Sequence, residues 1–319
     1  MKVNIILIAT IVLLLITGFL WPETQNDSLY PVPKVKIYVP SKPGGTTDAT
    51  ARAFARSLER STGVKAVVVN QTAGGGTVAV STVADAQGDG ATLLVFHAML
   101  HVSHGTGRGK VAASDLTALA TISRATDVYV VRADEPFDSL DGLFSHSQKR
   151  ELVIASQMGG TTQLKASALA AAAESEGGQL RPVAIGSMAK RLTGLLGKQV
   201  DVSIVDLKTA RQYFDAKSIK PLAVISGIRD PFEPDWPTAK EQGVDIDLAQ
   251  VSEVYAPKSM PVEIREQLDS IFSAVLQDPE LFRELARVKQ SPEYRGSADA
   301  SDFIEDEDAR IQSMLKASL

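Results

Sequence analysis

Apolar and polar positions along the chain change period in a recurring order. Residues 36–39 alternate Lys, Ile, Tyr and Val, which predicts a short strand. Residues 40–47 are rich in Pro, Gly and Thr and predict a turn. From Asp48 the apolar residues Ala51, Phe54, Ala55 and Leu58 fall at helical spacing. The order strand, glycine turn, helix then returns three times. Residues 64–70 predict a nearly continuous apolar strand, covered on both faces. A glycine turn at 71–77 and a helix over 78–86 follow. Residues 152–156, 157–162 and 164–173 repeat the order, as do 181–185, 186–188 and 189–196.

The intervening segments complete the pattern. Strands are predicted over 91–96, 200–205, 220–225 and 251–256. Apolar stretches run over 116–132, and a short helix starts near 139–143. Residues 97–110, with three glycines, predict a loop. Residues 230–237 form a proline-rich loop, and a short helix over 238–242 is closed by Gly243. The C-terminal part is helical over 262–276, 280–289 and 300–315. Strands alternating with helices in short units predict an α/β protein built on a parallel sheet. In such sheets ligands sit at the carboxyl ends of the strands.

The turns also carry the candidate chemistry. Asp48 is the expected N-cap of the first helix. Gly44 and Gly45 leave backbone N–H groups unshielded at its start, the makings of an anion site. The four turns contain no Arg, and their one Lys, Lys42, is expected to face solvent. Two lobes, each giving two such turns to a shared cleft, would surround one carboxylate with helix N-termini. A phosphate-binding loop is the rival for Gly74, Gly75, Gly76 and Thr77, but no Gly-Lys-Ser/Thr follows.

Bulk properties narrow the classes. A net charge of −5 and few aromatics, without a basic stripe, argue against nucleic-acid binding. Absence of cysteine excludes disulfides, thiol catalysis, Cys-based zinc sites and a lipobox anchor. The N-terminal run from Ile5 to Trp21 follows Lys2 and precedes Pro22 and a polar stretch. Residues 1–22 are therefore expected to be a signal peptide or N-terminal membrane anchor, with a linker over 23–33. Lys2 on one side and Glu23 and Asp27 on the other place the body outside the cytoplasm.

The order and spacing of many short pieces resemble the periplasmic solute-binding proteins of tripartite tricarboxylate transporters, the Bug or TctC-like receptors. The pieces are Val39-Pro40, Pro43-Gly44-Gly45, Asp48, Ala51-Arg52, 68–70, 73–76, Val83-Ala84 and 89–94. Later come 197–201, 222–224, Arg229, Pro237-Thr238, Glu241, Gly243, Ala256-Pro257 and Pro261. The resemblance spans the chain from about Tyr30 onward. It implies a type II periplasmic-binding-protein fold, in which two α/β lobes close on the ligand. Lobe 1 is expected over 34–125 and 252–319, and lobe 2 over 126–251. It also implies a small di- or tricarboxylate ligand held by backbone amides and hydroxyls, a membrane permease as partner, a periplasmic or tethered location, a monomeric body, no cofactor and no catalysis.

Three places depart from the family's pattern. Residues 183–186 stand where the family has Pro-Tyr-Lys-Gly, Val251-Ser-Glu253 where Trp-x-Gly is common, and Gln163 where a His or similar polar residue is usual. The expected ligand-binding residues are Pro43, Gly44, Gly45, Thr46, Thr47, Asp48, Asn70, Gly74, Gly75, Gly76, Thr77, His97, Gly160, Thr161, Thr162, Gly186, Ser187, Met188 and Asp206. Asp48 is weighted toward bracing its turn. Asp206 is weighed as a cap or as a receiver of an ammonium group. His97, His101 and His104 have a spacing that could gather a metal on a helix, but three glycines follow, and no metal site is assigned. His97 is expected at the cleft mouth and the other two in a solvated loop. Glu305, Asp306, Glu307 and Asp308 read as a solvated helix face. Two other readings stay open: a sensor that presents its solute to a histidine kinase, and a metal-dependent hydrolase built on the histidines.

Overall fold

The structure is a computed structural model that describes residues 29–317. The apolar run read as a signal or anchor, and residues 23–28 of the linker, lie outside the described residues. Among the described residues no helix is long and apolar enough to cross a membrane.

Two α/β lobes make up the body. The first sheet has six strands: β1 (Lys34–Val39), β2 (Lys65–Asn70), β3 (Thr92–Phe96), β4 (Leu116–Ala125), β10 (Gln250–Pro257) and β11 (Gln290–Arg295), in the order β11-β4-β10-β3-β1-β2. The second has five: β5 (Asp127–Arg132), β6 (Leu152–Ser156), β7 (Leu180–Ala184), β8 (Val202–Asp206) and β9 (Ile219–Val224), in the order β7-β6-β8-β5-β9. Both sheets are mixed. β1 runs parallel to β2 and β3, and β6 parallel to β7 and β8, but β4, β5, β10 and β11 pair antiparallel. The antiparallel strands include those by which the chain changes sheets: only Thr126 separates β4 from β5, and β10 brings the chain back.

The helices are α1 (Thr46–Thr62), α2 (Thr77–Ala84), α3 (Met99–Gly105), α4 (Leu140–Ser147), α5 (Thr161–Ser175), α6 (Met188–Leu196), α7 (Leu207–Asp215), α8 (Val262–Val275), α9 (Pro279–Arg287) and α10 (Ser297–Ala317). In β1 the alternation turns Val35, Ile37 and Val39 fully inward. They meet the apolar stripe of α1, where Ala51, Phe54 and Leu58 are inaccessible to solvent. Phe54 and Phe272 of α8 pack edge-to-face at 5.1 Å. The helix ends at Gly63, whose left-handed backbone lets its N–H donate to the Glu59 carbonyl.

Several expectations are corrected. β2 is an edge strand, half-exposed rather than covered on both faces. Residues 97–110 are not all loop, because α3 forms there. Neither α7 nor β11 was expected. Residues 305–308 are not uniformly solvated: Glu307 is 1% exposed, against the fully buried His101 and Glu253. Burial drives the Glu307 carboxyl well above the usual range, and the neighbouring Glu253 adds to the shift.

The C-terminal helix α10 packs on β4 and α3, and its Ile311, Met314 and Leu315 belong to an apolar cluster shared by Ala98 and Val102 of the first lobe and by residues of the second. Replacing Phe272, which anchors the first core, with Ala should destabilise the protein by about 3–5 kcal/mol, read from the denaturant midpoint.

Candidate functional site

The turn before α1 is held by side chains from two elements. Gly44 takes a left-handed φ of +82°, and its N–H donates to Asp48 Oδ2 at 2.8 Å. Asp48 lies inside the first helical turn; Gly45 occupies the N-cap position, with no side-chain cap. That corrects the N-cap expectation. The Asp48 carboxylate also accepts from Arg52 Nε at 3.0 Å and Asn70 Nδ2 at 2.8 Å, and Asn70 Nδ2 donates to the Ser41 carbonyl. Burial raises the Asp48 carboxyl, but these hydrogen bonds outweigh it and hold the group below its usual range. The backbone N–H groups at the start of α1 therefore keep their freedom toward the cleft, while Asp48 and Asn70 fix the turn.

The other turns follow related rules. Gly74 and Gly75 are left-handed inside a single turn that runs over Ala73–Gly76. A side chain on Gly76 would come within 2.6 Å of Pro40, so the two lobe-one turns touch through a glycine. In the second lobe, Gly160 precedes α5 and Ser187 precedes α6, neither helix having a side-chain cap. Asp206 caps α7 by accepting from Thr209 N at 2.7 Å. Gln157 N donates to Thr162 Oγ1, and Gly159 N to Gln163 Oε1.

Two cavities, of about 400 and 310 Å³, lie between the lobes and share Thr46, Met188 and Asp206 in their walls. The larger brings Thr46, Gly75 and His97 of one lobe opposite Gly160, Thr161, Thr162, Met188 and Asp206 of the other. The smaller adds Gly44 and Gly45. Pro43, Thr47, Asp48, Asn70, Gly74, Gly76, Thr77, Gly186 and Ser187 lie outside both walls; of these, Thr47, Asp48 and Gly76 are buried.

Sequence reasoning missed several wall residues. Ser41 is next to the first glycine turn. Asp127 stands at the one-residue break between β4 and β5, inside what reads as a single apolar stretch. Arg191, one turn into α6, brings a guanidinium to a cleft whose turns carry no Arg. Its Nη1 and Nη2 donate to the Gly186 and Ile204 carbonyls, while its buried Nε has no partner in the protein. Ser41 Oγ, on the opposite wall, is likewise buried and unpaired.

One ion pair organises the charges in this cleft. Fully buried Lys165 forms an ion pair with Asp127, which also accepts from Gln250 Nε2 at 3.3 Å. Burial raises the Asp206 carboxyl above its usual range, and Asp127 adds to this against the Thr209 N–H. His97 Nδ1 accepts from Met99 N at 3.3 Å, which leaves the ring proton on Nε2. Burial pushes the imidazole down to about 4, so it is a neutral donor at pH 7. The three histidines do not gather. His97 lines the cleft, His101 is buried on α3, and His104 is exposed.

A fold of two lobes around a polar cleft matches known proteins along its whole described length. The family model for the tripartite tricarboxylate transporter family receptor, TctC, matches residues 50–318. The chain belongs to this family. It is 27% identical to protein BugT of Bordetella pertussis over 323 residues, 97% of this chain and 96% of BugT. A TctC solute-binding protein from Polaromonas, solved without ligand, superposes with a TM-score of 0.79 at 21% identity, covering 90% of this chain and 99% of that one. An R. palustris protein solved with adipate superposes with a TM-score of 0.75 at 27% identity, covering 90% and 97%. The family and fold are those of solute-binding receptors.

The neutral His97 of this TctC-family receptor has a thermodynamic signature. Its folded pKa lies below the value of about 6.5 in an unfolded chain, so between about pH 6.5 and 4 the unfolded state takes up the proton first. Stability falls as pH drops through that window. In His97→Gln, the slope of unfolding free energy against pH there should be shallower by up to one proton, measured by urea denaturation at stepped pH; an unchanged slope refutes the neutral imidazole.

Proposed function

We propose that this receptor captures a small organic acid between its lobes outside the cytoplasm, as a monomer, and presents it to the membrane permease of a tripartite tricarboxylate transporter. The observation that carries the reading is the meeting of two unpaired donors, Ser41 Oγ and Arg191 Nε, across a cleft that α1, α5 and α6 enter with their N-termini. Buried polar groups left without partners are destabilising, and an oxyanion accepts from such donors strongly. Uncapped helix N-termini add partial positive charge and backbone N–H groups that are already oriented. The Asp127 carboxylate does not repel an anion at full strength, because Lys165 neutralises it. Asp206 offers an acceptor for an O–H or N–H elsewhere on the ligand. Adipate in the R. palustris protein supports a dicarboxylate as the ligand class. Pro43, Thr47, Asp48, Asn70, Gly74, Gly76, Thr77, Gly186 and Ser187 would then act by shaping the turns behind the wall.

Thermal-shift measurement against adipate, shorter dicarboxylates, tricarboxylates and amino acids tests this. A true ligand at a hundredfold excess over its dissociation constant should stabilise the protein by about 2.7 kcal/mol. Arg191→Gln should weaken binding by about tenfold to a hundredfold, the worth of one hydrogen bond to a charged group. If no organic acid raises the melting temperature, the carboxylate reading is wrong.

A further inference from the structure

We propose that His101, Glu253 and Glu307 form a structural binding site for a divalent first-row metal ion, of the Zn²⁺ or Mn²⁺ class. The three residues come from α3, β10 and α10, and all are at most 1% exposed. His101 Nε2 lies 3.9 Å from Glu253 Oε2 and 3.9 Å from Glu307 Oε2. That is too far for hydrogen bonds, yet one ligand atom from each of the three residues lies within 4.8 Å of the others. A point among atoms so spaced is roughly 2.1–2.5 Å from each, the range of metal–nitrogen and metal–oxygen bonds.

The surroundings orient the donors. His101 Nδ1 is 2.9 Å from Asp308 Oδ1. With Nδ1–H donating there, the Nε2 lone pair faces the two glutamates, the arrangement by which a carboxylate fixes a metal-ligating imidazole. Gln312 Nε2 donates to both Asp308 Oδ1 and the His101 carbonyl, at 3.2 and 3.3 Å. Tyr255 Oη donates to Glu253 Oε2 at 2.6 Å. Apart from Glu253 Oε2, the atoms around the centre have no such partners. His101 Nε2, Glu253 Oε1 and both Glu307 carboxylate oxygens are buried without a hydrogen bond in the protein. Arg310 Nη2 stays 3.6 Å from Glu307 Oε1.

Four unsatisfied buried atoms in one place are strongly destabilising unless a cation, or a proton shared between the two glutamates, takes up their lone pairs. A dication does so and balances two carboxylates beside a neutral imidazole. One nitrogen and two hard oxygens, with no sulfur, suit zinc or manganese rather than a softer ion. Asp308, the partner of His101 Nδ1, also lines a surface cavity of about 420 Å³. Bound there, the ion would tie the helix that follows His97 to the strand returning between the lobes and to α10.

The test uses the full chain stripped with EDTA, then equilibrated with Zn²⁺ or Mn²⁺ and dialysed. Expected are one equivalent of metal by mass spectrometry and a melting temperature about 5 °C higher at a hundredfold excess over the dissociation constant. Glu307→Gln, nearly the same shape, should lose the metal and the shift together, and Asp308→Asn should weaken binding by about tenfold to a hundredfold. Neither ion retained by wild type, or equal retention by wild type and Glu307→Gln, overturns the site. So does a Glu307→Gln protein more stable than metal-free wild type when wild type takes up no metal, since the two glutamates would then share a proton instead. Organic-acid binding in the cleft is read separately and does not enter this result.

Discussion

Lys165 carries a charge with no access to water, and Asp127 answers it from the point where the chain passes between sheets. Much of the cleft depends on that pairing. A lone buried ammonium or carboxylate would lose several kcal/mol of solvation, so the pair holds α5 in place against the first residue of β5. Tyr129 strengthens the hold by donating to the Lys165 carbonyl at 2.6 Å. Because α5 starts at Thr161, fixing its second turn also fixes the N–H groups it offers to the cleft. The receptor thus aims a neutral pattern of backbone and hydroxyl donors by means of a charge pair whose carboxylate, Asp127, reaches the cleft wall while its ammonium is buried behind it.

The same economy appears in the first lobe. Asp48 and Asn70 grip the glycine turn from behind, and Arg52 completes the set. Charged side chains do the positioning, while the groups facing the ligand space are mostly backbone, serine and threonine. In the proposed reading, such a wall would hold an acid through geometry that is fixed before the ligand arrives, which keeps the entropy lost on binding small. Arg191, Asp127 and Asp206 are the exceptions, and two carbonyls immobilise Arg191.

The strand–glycine–helix units were legible because each combines a change of hydrophobic period with a residue type that permits the turn. The receptor family followed from their order. What stayed hidden depends on partners distant in sequence. Arg191 reads as an ordinary polar residue on a helix until the packing of α6 brings it to the cleft. Asp127 hides inside one apolar stretch, since a one-residue change of sheet leaves no composition signal. Strand β11 reads as coil because it is polar and contains Pro292. Helix α7 has few apolar positions, and only Leu207 and Ala210 are buried. Glu307 is the sharpest case: within an acidic run on a helix, one position in four turns inward, and nothing local says that a histidine and a second glutamate wait there. Glu253 was visible only as a departure from the family's pattern.

Helix α10 sets a limit on how the two lobes can move. It packs on β4 and α3 of one lobe, and Ile311, Met314 and Leu315 belong to an apolar cluster that takes in Ala98 and Val102 together with residues of the second lobe such as Leu143 and Phe144. Wide gaping would divide that shared apolar cluster, which favours closure by shear, with packed surfaces sliding over short distances. A receptor strapped in this way spends little binding energy on large rearrangement. In the proposed role, its loaded state would be read as a small change of surface shape rather than as a swing of domains.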